Sequence, residues 1–257
     1  MKKTILFLSL AMIAAACSKS SDDAIPSSKN LYPSKIVETN GDAVSTTTYE
    51  YNTQNRLVKS IETDNYKDII TTITTKTYTY TNDLLSEIIS NQTSGTDVTI
   101  YRSVLNYVHG ELTTIFEYNG TETAVTSNKD SLFYNGGNFP NIIRQHNGFE
   151  NNILTYDLVG NKMTILYSDK QNNSSETTFT YDTNHRHYTW CIPSPTYIQG
   201  QFGYCPTQIK ETWKENGIVS FSGTTTFSYA FNADGYPTKV TKTDLDAHTE
   251  TYDITYR

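Results

Sequence analysis

Aromatic and small polar residues alternate along the most regular stretches of this chain. Residues 221–231 read Phe221-Ser-Gly-Thr-Thr-Thr-Phe227-Ser-Tyr229-Ala-Phe231, and near the end Tyr252, Ile254 and Tyr256 are set against Thr251, Asp253 and Thr255. A period of two sends successive side chains to opposite faces of a strand, so one face is apolar and the other belongs in water. The pattern recurs as a unit. Tyr49-Glu-Tyr51-Asn52-Thr-Gln-Asn55-Arg56-Leu57 leads to Val58-Lys-Ser-Ile61, and Phe227-Ser-Tyr229-Ala-Phe231-Asn232-Ala-Asp-Gly235-Tyr236-Pro237 leads to Val240. Between them lie Phe133-Tyr134-Asn135 through Pro140, Tyr156-Asp157 through Gly160-Asn161, and Tyr181-Asp182, with looser copies at Tyr78-Thr-Tyr80 and Leu105-Asn-Tyr107. The chain ends on Tyr252-Asp-Ile254-Thr-Tyr256-Arg257, an opening half without a closing half.

Each unit reads as strand, tight Asn/Asp/Gly turn, strand and looser polar loop, which is a hairpin. Asn and Asp suit such turns because they tolerate left-handed backbone angles and bond their own backbone. Repetition every 22 to 29 residues or so predicts an all-β antiparallel meander of about 14–16 strands. An inward aromatic face makes it a closed or flattened soluble barrel, because closure removes edges that Thr-rich strands would otherwise offer to neighbours. An open rolled sheet is the alternative. A membrane porin would require the aromatic face to point outward into lipid, since rows of Ser and Thr hydroxyls would find no partners there.

Composition agrees with strands throughout. The 257 residues include 41 threonines and 20 tyrosines but ten alanines, four of them before Cys17. Helices are disfavoured by that usage and strands favoured. Apolar residues make up 36%, so the buried face depends on large aromatic rings. A Rossmann or barrel-type α/β enzyme is excluded on these grounds.

The first residues have the form of a processing signal. Lys2 and Lys3 precede an apolar run from Ile5 to Ala16 that is too short for a bilayer span of about 20 residues. The run ends Ala14-Ala15-Ala16-Cys17, which resembles a lipobox with alanine where leucine is usual; the resemblance implies cleavage before Cys17 and lipidation of its thiol. The alternative is an ordinary A-x-A cleavage site. The organisation expected is a signal peptide over 1–16, a lipid-anchored tether over 17–30, and a single domain over 31–257 with an inserted loop at 189–206. Loss of Lys2 and Lys3 takes the net charge from −7 to −9, and no basic footprint for nucleic acid remains. Ser18-Lys19-Ser20-Ser21-Asp22-Asp23 resembles the acidic export signal that sends lipoproteins of Bacteroidetes-type bacteria to the cell surface. The alternative is a plain solvated tether; the expected partner is the outer membrane, met through the anchor at the cell surface or otherwise at its periplasmic face.

With Cys17 lipidated, Cys191 and Cys205 remain in a compartment where disulfides persist, and they are expected to pair. Closing a loop of about 15 residues stabilises a fold by roughly 3 kcal/mol in the chain-entropy view.

The unit Y-x-Y-[DN]-x-x-[GN]-x-[LP] resembles the YD repeat of RHS and teneurin-type proteins, whose strands wind into a hollow shell. The chain is too short for a closed shell of that kind, and its repeats are irregular. It is also similar to small secreted or lipid-anchored Bacteroidetes proteins of unknown function with YD-like repeats and a porin-like barrel. That resemblance implies a fold and no activity.

Candidate chemistry is sparse. Asp182, His185 and His187 have a donor set that suits zinc, but they fall where the repeat needs a turn. His109, His146 and His248 stand alone, and no nucleophile elbow, P-loop, H-E-x-x-H or dinucleotide motif occurs. No cofactor is implied. The inserted loop concentrates Trp190, Tyr197, Phe202 and Tyr204, rings suited to stacking on a glycan or on a protein's apolar surface, or else to capping the end of the barrel. These observations predict a non-enzymatic binding or structural module at the cell surface. The rival is a glycan- or lipid-acting hydrolase with carboxylates at the barrel mouth.

Overall fold

A computed structural model describes residues 30–67, 69–120, 126–134, 140–146, 151–169, 171–192 and 203–257. Sixteen strands follow one another: β1 Pro33–Asn40, β2 Ala43–Tyr51, β3 Leu57–Tyr66, β4 Ile69–Thr81, β5 Leu84–Ser94, β6 Asp97–Val108, β7 Glu111–Asn119 and β8 Thr126–Tyr134. The second half comprises β9 Pro140–His146, β10 Asn151–Val159, β11 Lys162–Ser168, β12 Ser174–Arg186, β13 Tyr204–Glu215, β14 Ile218–Phe231, β15 Pro237–Thr243 and β16 Thr249–Tyr256. Every strand pairs antiparallel with its sequence neighbours, and β1 pairs with β16 through Ile36 opposite Ile254, so the sheet is a closed meander barrel. The terminal Tyr252–Arg257 segment, which lacks a closing half in sequence, finds it in β1.

The repeated tyrosine unit has a structural counterpart on the inner wall. Tyr51 lies opposite Leu57, Tyr80 opposite Leu85, Tyr107 opposite Leu112, Tyr134 opposite Pro140 and Tyr256 opposite Pro33. The Leu and Pro positions form a ring at one end of the barrel; Leu57, Pro33, Pro140 and Pro237 are essentially sealed from water. A second ring, Ile36, Ile88, Ile115, Ile143 and Val240, is buried one layer deeper. Tyrosine hydroxyls tie one hairpin to the preceding one: Tyr51 donates to the Pro33 carbonyl, Tyr80 to Leu57, Tyr134 to Leu112, Tyr229 to Pro206 and Tyr256 to Pro237, at 2.6–3.0 Å.

A β-bulge follows most members of the first ring. Ser34, Ser86, Thr113, Thr207 and Thr238 are the extra residues, and each hydroxyl donates to a carbonyl of the opposing strand at 3.1–3.2 Å. One extra residue reverses which positions face inward along the rest of the strand. After Leu57, Ser60, Glu62 and Asp64 therefore point inward, while Lys59 and Ile61 point out. Turns share a second device. The side-chain oxygens of Asn52, Asp169, Asn232 and Asp244 each accept two backbone N–H groups, two and four residues on. The residue three places on takes a positive φ: Asn55, Asn172, Gly235 and Ala247. Asn and Gly carry that angle readily; Ala247 does so with the steric cost of its Cβ.

Two substitutions separate these contributions. Tyr80→Phe deletes one hydroxyl bond and is expected to destabilise by about 1 kcal/mol. Leu57→Ala leaves a void in the sealed ring and is expected to cost about 2–5 kcal/mol, both read from denaturant midpoints at unchanged slope.

Candidate functional site at the ends of the barrel

The two ends of the barrel differ. One end carries Asn30, Arg257 and the turns after β2, β4, β6, β10 and β14, and it is closed by the segment following β12. There His187 N–H donates to the Gly203 carbonyl, and Trp190 N–H and Ile192 N–H close successive tight turns on His187 and Thr189. Tyr188 turns into the interior beside Tyr252, with Tyr49, Tyr229 and Tyr256 packed in the same cluster. Trp190 Nε1 donates to the Leu31 carbonyl at 3.2 Å, its ring lies 5.5 Å from that of Tyr32, and the Arg186 guanidinium sits 4.9 Å from its centroid. Tyr204 packs half-buried on the main core. Trp190 and Tyr204 thus serve to close this end, while Tyr197 and Phe202 lie outside the described residues, as does Cys17.

The expected Cys191–Cys205 disulfide is not formed; both residues are free thiols. Each sulfur has another neighbour. Cys191 Sγ lies 3.9 Å from the Tyr51 hydroxyl, and Cys205 Sγ donates to the Arg186 carbonyl from a fully buried position on β13. Burial pushes the Cys191 thiol up to about 11 and raises that of Cys205 further, so neither is the thiolate that nucleophilic chemistry needs.

Asp182, His185 and His187 do not converge on one point. The Asp182 carboxylate accepts from the Asn184 backbone and meets His185 Nδ1 at 2.6 Å, and those bonds hold its acid below the usual range despite its partial burial. His185 stacks on Phe231, with centroids 3.9 Å apart. His187 is buried, bonded to the Thr189 hydroxyl at 2.6 Å, and burial lowers it to about 3, so it is neutral. This is a structured turn of the closing segment.

The opposite end carries the turns after β1, β3, β5, β11, β13 and β15, and among the described residues no segment folds across it. Register continues the inward face from the buried rings to Glu38 and Asn40 on β1, Glu62 and Asp64 on β3, Lys76 on β4, and Glu117 on β7. It continues likewise to Asp130 on β8, Glu211 on β13, Lys242 on β15 and Glu250 on β16. These side chains are half-exposed, and Tyr66, Tyr101, Trp213 and Phe221 on the same inner face are 40–51% exposed. Inward residues that water reaches define an open vestibule. With Asp97 at the start of β6, which register also turns inward, the described residues of the vestibule carry eight carboxylates against two lysines.

The carboxylates form two groups. Glu250 accepts from Lys242 Nζ at 2.9 Å, Tyr252 Oη at 3.0 Å and Asn40 Nδ2 at 3.2 Å, and the Lys242 bond holds its acid low. Glu38 is raised by burial and then by Glu250, with Glu62 adding to the effect. A cavity of about 260 Å3 lined by Glu38, Asn40, Ser45, Asp64 and Tyr66 opens here. Across β7–β9, Glu117 accepts from Asn128 Nδ2 at 3.0 Å and Asp130 from Gln145 Nε2 at 3.4 Å. Burial, followed by the Glu117 charge, pushes Asp130 up to about 6.

Sequence reading missed this vestibule because it took alternation as unbroken from the tyrosine unit. A signal was available at Pro33, Leu85, Leu112, Pro206 and Pro237, where the next residue is Ser or Thr and marks the bulge that swaps the faces; Val58 after Leu57 and Asn141 after Pro140 carry no such mark.

No protein-family profile and no curated protein matches the chain. Among solved structures, it is similar to a porin-like protein from Bacteroides uniformis, with a TM-score of 0.57 and 18% identity over 90% of this chain and all of the other. A porin-like protein from Bacteroides vulgatus matches with a TM-score of 0.44 and 13% identity over 89% of this chain and 99% of the other. The first likeness is one of fold.

Asp130 gives a signed pH dependence. Its folded pKa is raised above the unfolded value, so its ionisation opposes folding at neutral pH, and that opposition fades as pH falls from about 6 towards 4. Asp130→Asn is expected to raise the melting temperature at pH 7.5 and to lose that advantage at pH 4, measured by thermal melts at both values.

Proposed function

We propose that this barrel is a non-enzymatic binding module tethered to the outer membrane through lipid on Cys17, with its closed end toward the membrane and its vestibule facing away. The observation that carries this reading is the division of the interior into a sealed apolar half and an open polar half. The first described residue, Asn30, sits at the closed end, so a tether over 17–30, which spans at most about 50 Å, joins the barrel there. The outer face supports a barrel in water rather than in lipid. It is rich in threonine and carries mid-strand charges such as Lys59, Arg102, Arg144, Lys210 and Asp253, with Arg102 paired to Glu87 at 2.5 Å. A lipid-facing band is apolar, and each such charge near its middle costs about 2–4 kcal/mol.

One observation favours the hydrolase alternative: Asp130, raised to about 6, lies diagonally across from Glu117 on the vestibule wall. An acid near neutrality beside a second carboxylate suits general acid–base work. Hydrolysis of polysaccharide or ester substrates that disappears in both Asp130→Asn and Glu117→Gln would establish it.

The anchored reading is tested by intact mass and by protease treatment of whole cells, comparing wild type with Cys17→Ala. The expected result is an acyl mass increment lost in the variant, with the wild-type barrel cleaved on intact cells. An unlipidated product in the medium or confined to the periplasm would overturn it.

A further inference from the structure

Eight cation–aromatic pairs occur among the described residues, and they are unevenly placed. On the outer face Arg102 covers Tyr118, Lys129 covers Phe116 and Arg144 covers Phe133, at 4.9–5.6 Å. At the closed end Arg56, Arg186 and Arg257 cover Tyr80, Trp190, Tyr32 and Tyr51. At the vestibule rim Lys67 covers Tyr66. Trp213 and Phe221, opposite each other on β13 and β14 and 44% and 40% exposed on the inner wall, have none. Phe221 is held in place from behind. Its ring lies over Gly223, where a Cβ would meet it at 2.7 Å and the Leu245 side chain at 3.0 Å. Trp213 packs against Tyr167, with centroids 6.0 Å apart. Glu211 lies one inward position deeper than Trp213, opposite Gly223.

We infer that Trp213, Phe221 and Glu211 form a docking platform for a lysine- or arginine-bearing peptide that enters the vestibule. This deepens the binding-module reading and rests on it. The ring faces attract a cation through their quadrupole. The surrounding carboxylates, which outnumber the lysines of the vestibule, concentrate positive charge and repel anionic ligands. Among the described residues, eight other rings have a cation of the protein's own beside them, whereas Tyr101 on the same inner face has none but stands without a paired ring on the neighbouring strand. At Trp213 and Phe221 two uncovered rings lie side by side, and the ligand supplies the cation. An extended peptide is favoured over a small cation because the paired rings and the second acidic group at Glu38, Glu62 and Glu250 lie on different strands of one wall, so several ligand charges find partners together.

The test uses the mature chain carrying Trp190→Phe, which leaves Trp213 as the only tryptophan. A capped hexalysine peptide is expected to shift Trp213 emission, with affinity that falls as salt rises. By calorimetry, Trp213→Ala and Phe221→Ala are each expected to weaken hexalysine roughly tenfold, and Glu211→Gln several-fold, with the circular dichroism unchanged. Hexalysine binding equally to Trp213→Ala and Phe221→Ala would mean attraction by net charge alone and would overturn the platform. Spermine binding as tightly as hexalysine, with the same loss in the variants, would overturn the peptide as ligand. Cellohexaose shifting Trp213 where hexalysine does not would overturn the cationic class and leave the binding module standing. No response to any of the three would count against both.

Discussion

Sixteen antiparallel strands closed into a ring enclose more space than one layer of side chains fills. Most features of the molecule answer that constraint. At one end the gap is filled by two rings of Pro, Leu and Ile, by tyrosines that reach back to the preceding hairpin, and by a segment folded in from between β12 and β13. At the other end it is left to water, and the inward side chains change from aliphatic to carboxylate, amide and hydroxyl. A strand of about ten residues thus carries a core at one end and a solvated wall at the other on the same face.

Much of this was legible in the residues. The Y-x-Y unit, its Asn/Asp turn and the Leu or Pro after it located the inner hairpins, and the aromatic face was correctly placed inside. The unmatched last strand was also visible, and its partner is β1. The acidic vestibule was not legible. From Leu57, plain alternation puts Lys59 and Ile61 inside, whereas the bulge puts Ser60, Glu62 and Asp64 there. A one-residue irregularity leaves composition and period nearly untouched and reverses every position beyond it. The cysteine pairing failed for a related reason: spacing sets how large a loop would be, but not which neighbours each thiol meets once the segment folds inward.

The likeness to the porin-like protein from Bacteroides uniformis is one of fold, and the polarity of this barrel is read from its own residues. A membrane porin turns its apolar residues outward and surrounds a polar channel. Here the outer face mixes threonine and charge with scattered apolar side chains such as Ile73, Phe133, Ile153 and Leu166, and apolar residues fill half of the interior. The ring of strands is thus stoppered at one end by its own side chains. Stoppering is costly in buried polar groups, and the closing segment meets that cost locally: the His187 ring and the Trp190 indole N–H both have partners.

The pairing of β1 with β16 has a consequence for how the chain comes together. Every other strand pair joins sequence neighbours, so the sheet can grow hairpin by hairpin as the chain emerges, with little entropy lost per step. The seam joins Ile36 to Ile254, the two ends of the domain, and cannot form until the last strand is present. Until then the edge of β1 is an unpaired template, and so is each newest strand. Within β1 itself, Lys35 and Glu38 are the charges that blunt that waiting edge. Seam closure is the step at which the molecule commits, and the final residues of the chain control the lifetime of its most aggregation-prone state.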